Sequence, residues 1–220
     1  LLQNYFESMI LKDVAERYSI SSIKKLRILS KLLFESNSSQ ISYNKLKNKM
    51  KSLGFSISKN TIIDYISYFE GAYLFFQNLK YEYSLMKQIG SIKKIYCIDN
   101  GLLNSVSFKF SEDYGKLLEN LIFIRLKALG KEVFYFKDKH ECDFVVQKKN
   151  KVTALLQACY ELNESNKDRE LKGIKEAIKN ADLNKGTILT HDQSDEIMID
   201  NKKVEVKPAW KWMLQNSLKE

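Results

Sequence analysis

Between Glu132 and Tyr160 three apolar runs of strand length, EVFYF, ECDFVV and VTALLQACY, follow one another with only KDKH and QKKNK between them. Connectors this short join antiparallel neighbours, because a parallel crossover needs about a dozen residues or more. The middle of the chain is therefore expected to be a β-meander. Ahead of it, Ser111 precedes a segment with Glu112 and Asp113 first, then an apolar body from Leu117 through Leu121, Ile122 and Leu126 to Leu129, then Gly130. Acids in the first turn and a glycine at the end read as a helix. Behind the meander, Leu171, Ile174 and Ile178 recur at helical spacing, with Lys172, Lys175 and Lys179 outside. A strand GTILT, a ribbon of EIMID and VEVK turning at Asn201, and the tail PAWKWML complete the chain. The order αβββαβ calls for a mixed sheet with helices on its faces, an α+β or α/β domain.

Charged groups sit where such a domain is expected to be dry. Glu119 stands one turn before Ile122 and Phe123, at or near the buried face of its helix. Period-2 alternation puts Glu141, Asp143 and Val145 on one face of the second strand, and Leu155, Gln157, Cys159 and Glu161 on one face of the third. A buried carboxylate is costly unless it is paired or bound to a metal. Glu119 and Asp143 are accordingly candidates for chemistry.

The N-terminal half has a different pattern. Ile23, Leu26, Leu29 and Leu33 predict one helix, ended by the polar break SNSSQIS. Ser42 then caps a second helix in which Leu46, Met50 and Leu53 share a face before Gly54. Ser58 caps a third, with Ile62, Ile63, Ile66 and Phe69 inward and Lys59, Asn60, Thr61, Asp64 and Tyr65 nearer its exposed start. The stretches AYLFFQNLKYEYS and KKIYCID follow as strands, with a turn at QIGS. Three helices and a two-stranded ribbon make a winged helix-turn-helix, here expected over residues 1–105 with a preceding helical segment. In DNA-binding versions the third helix enters the major groove and neighbouring lysines hold phosphates.

Charge divides the chain the same way. Residues 1–110 carry 16 Lys/Arg against 8 Asp/Glu, whereas residues 111–220 carry 20 against 19. Positions 21–60 hold nine basic residues, among them Lys45, Lys47, Lys49, Lys51 and Lys59, and the single acid Glu35. Such a patch favours a polyanion, most simply a nucleic-acid backbone; a solvated lysine-rich face is the plain alternative. At 220 residues the chain suits two domains, the second spanning 106–220. No window approaches a membrane-spanning helix and the first residues lack a signal-peptide pattern, so a cytoplasmic location is expected. Beginning at Leu1 suggests a fragment of a longer protein. Cys97, Cys142 and Cys159 lie in apolar runs without metal-ligand spacing and read as buried thiols.

A helix Glu, an Asp in the second strand and a polar pair in the third resemble the PD-(D/E)XK restriction-endonuclease-like superfamily. The phrases YFESMILKDVAERY, YFEGAYLFF, KKIYCIDNGLL, LLENLIFIRL, FYFKDKHECDFVV, LLQACYEL and PAWKWML are similar to the C-terminal half of a prokaryotic AAA-type ATPase family whose C-terminal domain has no assigned function. That resemblance implies an upstream ATPase domain, through which alone ATP would enter, since no GxxxxGK[ST] occurs here. It also implies a catalytic set at Glu119, Asp143 and Gln157, with Cys159 where the superfamily has its lysine. Asp143 and Glu119 would hold Mg²⁺, which carries positive charge to the phosphate. Gln157 and Cys159 replace an acid and a lysine, so the motif is degenerate, with Glu161 or Lys175 as spatial substitutes.

The expected function is DNA binding as part of a prokaryotic ATPase, with binding favoured over cleavage. A protein-interaction or oligomerisation module that regulates the ATPase is the alternative, and a homo-oligomer fits either. His140 and His191 read as ordinary surface residues, and Trp210 and Trp212 as docking the C-terminus onto the sheet.

Overall fold

The computed structural model describes residues 1–107 and 113–217. The chain divides into two compact units, Leu1–Asn78 with Ile92–Glu112, and Leu79–Ser91 with Asp113–Glu220. Each is a mixture of helix and strand, and the larger sheet is mixed. Among the described residues, no helix is long and apolar enough to cross a membrane.

In the first unit, α1 (Leu2–Ser8) leads into a π-helical stretch, Met9–Glu16. Phe6, Ile10 and Val14 face inward. The next helix, α2 (Ile23–Glu35), buries Leu26, Leu29 and Leu33, the stripe expected of it. In α3 (Tyr43–Ser52) only Leu46 and Met50 are buried. Leu53, expected on the same face, is exposed, because the helix has already ended and Gly54 turns the chain at φ +84°. The start of α4 (Lys59–Gly71) is fixed by Ser58, whose Oγ accepts the Thr61 N–H at 3.0 Å. Its buried stripe is Ile62, Tyr65, Ile66 and Phe69. Ile63 and Tyr65 thus exchange their expected places. At about 100° per residue, a stripe centred on Ile62, Ile66 and Phe69 leaves Ile63 about 100° away and Tyr65 only about 60°.

Three strands complete this unit: β1 (Ser39–Ile41), β2 (Phe75–Lys80) and β3 (Lys93–Cys97). β3 lies between the other two, antiparallel to both, with Gln40 opposite Lys94 and Phe76 opposite Tyr96. β1 falls in the SNSSQIS break, where the sequence offers too little apolar content to announce a strand. The β2–β3 connection, expected as a turn at QIGS, contains α5 (Leu85–Gly90). After β3, Asp99 caps α6 (Asn100–Val106). A half-buried relay ties α3, α4 and β2 together: the Tyr43 hydroxyl donates to Gln77 Oε1 at 2.6 Å, and Glu70 accepts both the Gln77 N–H and Nε2 at 2.8 Å. Burial, then Glu70, pushes the Tyr43 phenol up to about 12.

The second unit opens with α7 (Tyr114–Ala128), capped by Asp113, whose Oδ1 accepts the Lys116 N–H. Ser111 and Glu112, expected at its start, lie outside the described residues. The meander is β4 (Glu132–Lys137), β5 (Glu141–Lys148) and β6 (Lys151–Ala158), each antiparallel to the next. Then come α8 (Lys167–Asn180), β7 (Lys185–Thr190), β8 (Asp195–Ile199), β9 (Lys202–Pro208) and α9 (Ala209–Ser217). The strand order is β4-β5-β6-β7-β9-β8, with β7 parallel to both β6 and β9, and Leu79 and Lys80 parallel beside β4.

One irregularity in this sheet decides where Asp143 points. On β4, Phe134 pairs with Val145 but Phe136 pairs with Cys142, so three steps on β5 match two on β4. The extra residue is a β-bulge, which re-aims side chains. Cys142 and Val145, an odd number of residues apart, therefore both join the core under Ile174 and Ile178 of α8, while Phe144 lies 6.4 Å from the Phe123 ring of α7. The simple alternation placing Glu141, Asp143 and Val145 on one face is thereby broken. Helix α8 sits so close to β5 that a Cβ on Gly173 would overlap the Glu141 carbonyl. At the chain's end Trp210 is 57% exposed, whereas Trp212 is half-buried near Leu126, Val146 and Leu156, and Ala209 is buried.

Candidate functional site

Two surfaces carry chemistry, one in each unit. On the first, Lys45, Lys47, Lys49 and Lys51 project from α3, which has no acid, and all four are exposed, as are Lys59 and Asn60 at the start of α4. Thr61 is half-buried, its hydroxyl 2.8 Å from Ser58 Oγ. Lys93, at the start of β3, lies near enough to Lys59 that burial first, and then the Lys59 charge, lowers its pKa below the ordinary lysine value. Its ammonium stands 5.6 Å from the Tyr43 ring centre. A helix that carries four exposed lysines and no acid, with further lysines at the starts of α4 and β3, makes a surface of positive potential.

On the second surface, a cleft of about 660 Å³ is lined by Glu119 of α7, Asp143 of β5 and Gln157 of β6, together with Arg169 and Glu170 of α8. The three residues singled out in the sequence thus line one cleft. Gln157 is the hub: its Oε1 accepts the Asp143 N–H at 3.2 Å, and its Nε2 donates to Glu170 Oε2 at 2.7 Å. Asp143 Oδ2 accepts the Ala158 N–H at 3.0 Å. Glu170, only 5% exposed, has its other oxygen held by Arg169 through Nε at 3.0 Å and Nη2 at 2.5 Å. Binding to Glu170 raises the Arg169 pKa further.

These bonds fit a divalent cation poorly. Both ends of the Gln157 amide are committed to protein groups, and both Glu170 oxygens accept protein donors. Among the described residues no three His, Cys, Asp or Glu side chains are grouped closely enough to hold a metal ion. Cys159 does not stand in for a lysine: burial above all, and then Glu170, pushes its thiol up to about 12, so it stays neutral. Of the suggested substitutes, Lys175 pairs with Asp200 and Glu161 is exposed, and neither lines the cleft. Arg169 is the cation bound to Glu170.

The histidines are also less ordinary than their loop positions suggest. His140 lines the cleft and its Nδ1 lies 2.5 Å from Glu176 Oε1, while its N–H donates to Oε2 at 2.9 Å. His191 stacks on Tyr160.

Residues 1–113 match the family described as a domain of unknown function (DUF8612). The chain belongs to this family. It is 37% identical over 97% of its length to an uncharacterized protein of Methanocaldococcus jannaschii, covering 50% of that protein. It is 26% identical over 98% of its length to an uncharacterized protein of Haemophilus influenzae, covering 52% of it. The chain therefore spans about half the length of these curated relatives. No solved structure matches.

Arg169 and Glu170 escaped the sequence reading because α8 was read from its Leu171–Ile174–Ile178 stripe, with charged positions assigned to solvent. One signal was available: Glu170 lies four residues before Ile174, on the same helical face, so a carboxylate there meets the sheet.

Proposed function

We propose that this chain is a DNA-binding module of a prokaryotic ATPase, in which a winged helix-turn-helix contacts duplex DNA and a restriction-endonuclease-like domain serves as a binding scaffold. The observation that carries the reading is the set of exposed, acid-free lysines on α3 and at the start of α4. In a winged helix these elements face the groove and the flanking phosphates. The scaffold reading is supported by the cleft, where Gln157 and Arg169 engage both oxygens of the buried Glu170. The ATPase half of the reading comes from the resemblance of the sequence phrases and fits relatives about twice as long.

The experiment is duplex binding by the chain and by a variant reversed at Lys49, Lys51 and Lys59 to Glu. The parent should bind with little sequence preference and the variant should not bind. Equal binding by the two proteins would remove the basis of the reading. A second reading, a protein-docking module, is favoured by one feature: Leu85, Met86 and Ile89 of α5 are all more than half exposed, as is Tyr83 just before it. Contiguous exposed apolar residues of this kind suit a protein partner.

A further inference from the structure

The turn between β5 and β6 breaks two local rules at once. Lys148 and Lys151 stand directly opposite each other across the ladder, and like charges placed this way repel. Between them Lys149 has φ +51° and Asn150 φ +62°. This is the left-handed region, which asparagine, aspartate and glycine tolerate and lysine disfavours. The same unit contains the ordinary solution. The β8–β9 turn has a matching pair of left-handed residues, at φ +48° and +61°, and fills it with Asp200 and Asn201. Lysines elsewhere on the paired strands meet acids, Lys137 with Glu141 and Lys203 with Glu196.

Four cations gather at the tip. Lys148, Lys149 and Lys151 are exposed, and Lys131, exposed in the turn before β4, lines one recess with Lys148 and Lys149. Glu132 is the acid lining that recess, and among the described residues none of the four lysines is ion-paired with it or with another acid. A face that only kept the protein in solution would gain nothing from opposing two lysines and straining a third. Local rules broken without compensation are expected at functional positions. What would relieve this arrangement is an anion of repeated charge. A two-stranded ribbon fits the major groove of a duplex, and lysines on it reach the flanking phosphates. The tip lies five residues along β5 from Asp143, about 17 Å at the rise of a strand, so it is a surface separate from the cleft.

We propose that the β5–β6 hairpin tip, formed by Lys148, Lys149 and Lys151 with Lys131 beside it, is a second contact surface for the phosphates of duplex DNA. The inference rests on the reading of the chain as a DNA-binding module, but it uses the second unit and not the lysines of α3 and α4. It gives the scaffold domain its own share of the duplex.

The test sets stability against affinity. Lys148→Thr with Lys151→Thr removes the facing charges, and Lys149→Asn supplies a residue suited to the turn. In the free protein at low salt this triple variant should raise Tm by roughly 1–4 °C, a gain that shrinks as salt screens the repulsion. Duplex affinity, measured by fluorescence anisotropy, should fall. Its log-log slope against salt should become shallower by about 0.9 for each phosphate that the tip neutralises. A control that removes the same charge elsewhere, with the exposed Lys167, Lys179 and Lys185 changed to Gln, should keep the parent slope. A lowered Tm in the triple variant, a slope equal to the parent's, or an equal change in the control would each overturn the proposal. So would loss of binding to phosphatidylserine vesicles with duplex binding intact, which would assign the tip to a membrane surface. The Lys49, Lys51 and Lys59 reversal keeps the two readings apart. If the triple variant flattens the slope while that reversal binds as the parent does, the hairpin contact stands and the winged-helix reading falls.

Discussion

Gln157 joins Asp143 to Glu170, accepting the backbone N–H of the first at 3.2 Å and donating to the carboxylate of the second at 2.7 Å. One side chain thus satisfies a strand N–H and a buried acid from a helix. Replacing it by Leu, which is close in size but can do neither, leaves both partners unsatisfied. The expected cost is about 1–3 kcal/mol, the usual penalty for buried groups that lose their partners. Chemical denaturation of the parent and Gln157→Leu checks it, and equal midpoints would show that the network contributes nothing.

The same network sets the expectation for catalysis. With Arg169 and Gln157 holding Glu170, and Cys159 neutral where a cation is wanted, Mg²⁺- or Mn²⁺-dependent cleavage of duplex, single-stranded or branched DNA should be absent or very slow. Losing one positioned electrostatic group commonly costs about a hundredfold or more in rate. Asp143→Asn should therefore behave as the parent does. Robust cutting that disappears in Asp143→Asn would show that the cleft is a working centre.

His140 and Glu176 give the second unit a pH-dependent contact. Burial pushes the Glu176 carboxyl up, but the His140 ring and backbone N–H outweigh it and hold the pKa below the ordinary 4.5. A carboxylate with a lowered folded value stabilises fully above its unfolded value and loses that contribution as pH falls through the folded one. Glu176→Gln should therefore be destabilising near neutrality, with the difference from the parent shrinking as the pH falls below about 4.5. Denaturation of both proteins across this range is the check, and a difference that grows on acidification would contradict it.

The cap of α4 offers a local test in the first unit. Ser58 Oγ accepts the Thr61 N–H, and Ser58→Ala should cost about 1 kcal/mol. Thermal unfolding measures it. Since Lys59, Asn60 and Thr61 sit in the turn that this cap organises, duplex affinity should drop as well, by less than in the lysine reversal.

Much of this arrangement was legible from the residues because periodicity and short connectors are strong constraints. The α2 stripe, the cap at Ser58 and the meander through Glu132–Ala158 follow directly from them. Glu119 and Asp143 follow from asking why charge stands in apolar runs, and Gln157 from the resemblance to the PD-(D/E)XK superfamily. What could not be seen is equally physical. The β5 bulge depends on pairing with β4, and no local pattern in ECDFVV reports it. Strand β1 exists because β3 offers it an edge, and α5 replaces a turn that the glycine at position 90 appeared to announce. Glu170 and Arg169 were hidden because a charged residue on an amphipathic helix is usually at the surface.

The claim that DNA meets the α3–α4 lysines is tested most directly by the salt dependence of duplex affinity. Each phosphate neutralised by a lysine releases counterions, so the logarithm of the association constant should fall against the logarithm of salt with a slope of about −0.9 per contact on B-DNA. Measured between about 50 and 200 mM salt, the parent should lose affinity steeply, and single reversals at Lys49, Lys51 or Lys59 should each make the slope shallower. A flat salt response, or slopes unchanged by these substitutions, would contradict the account.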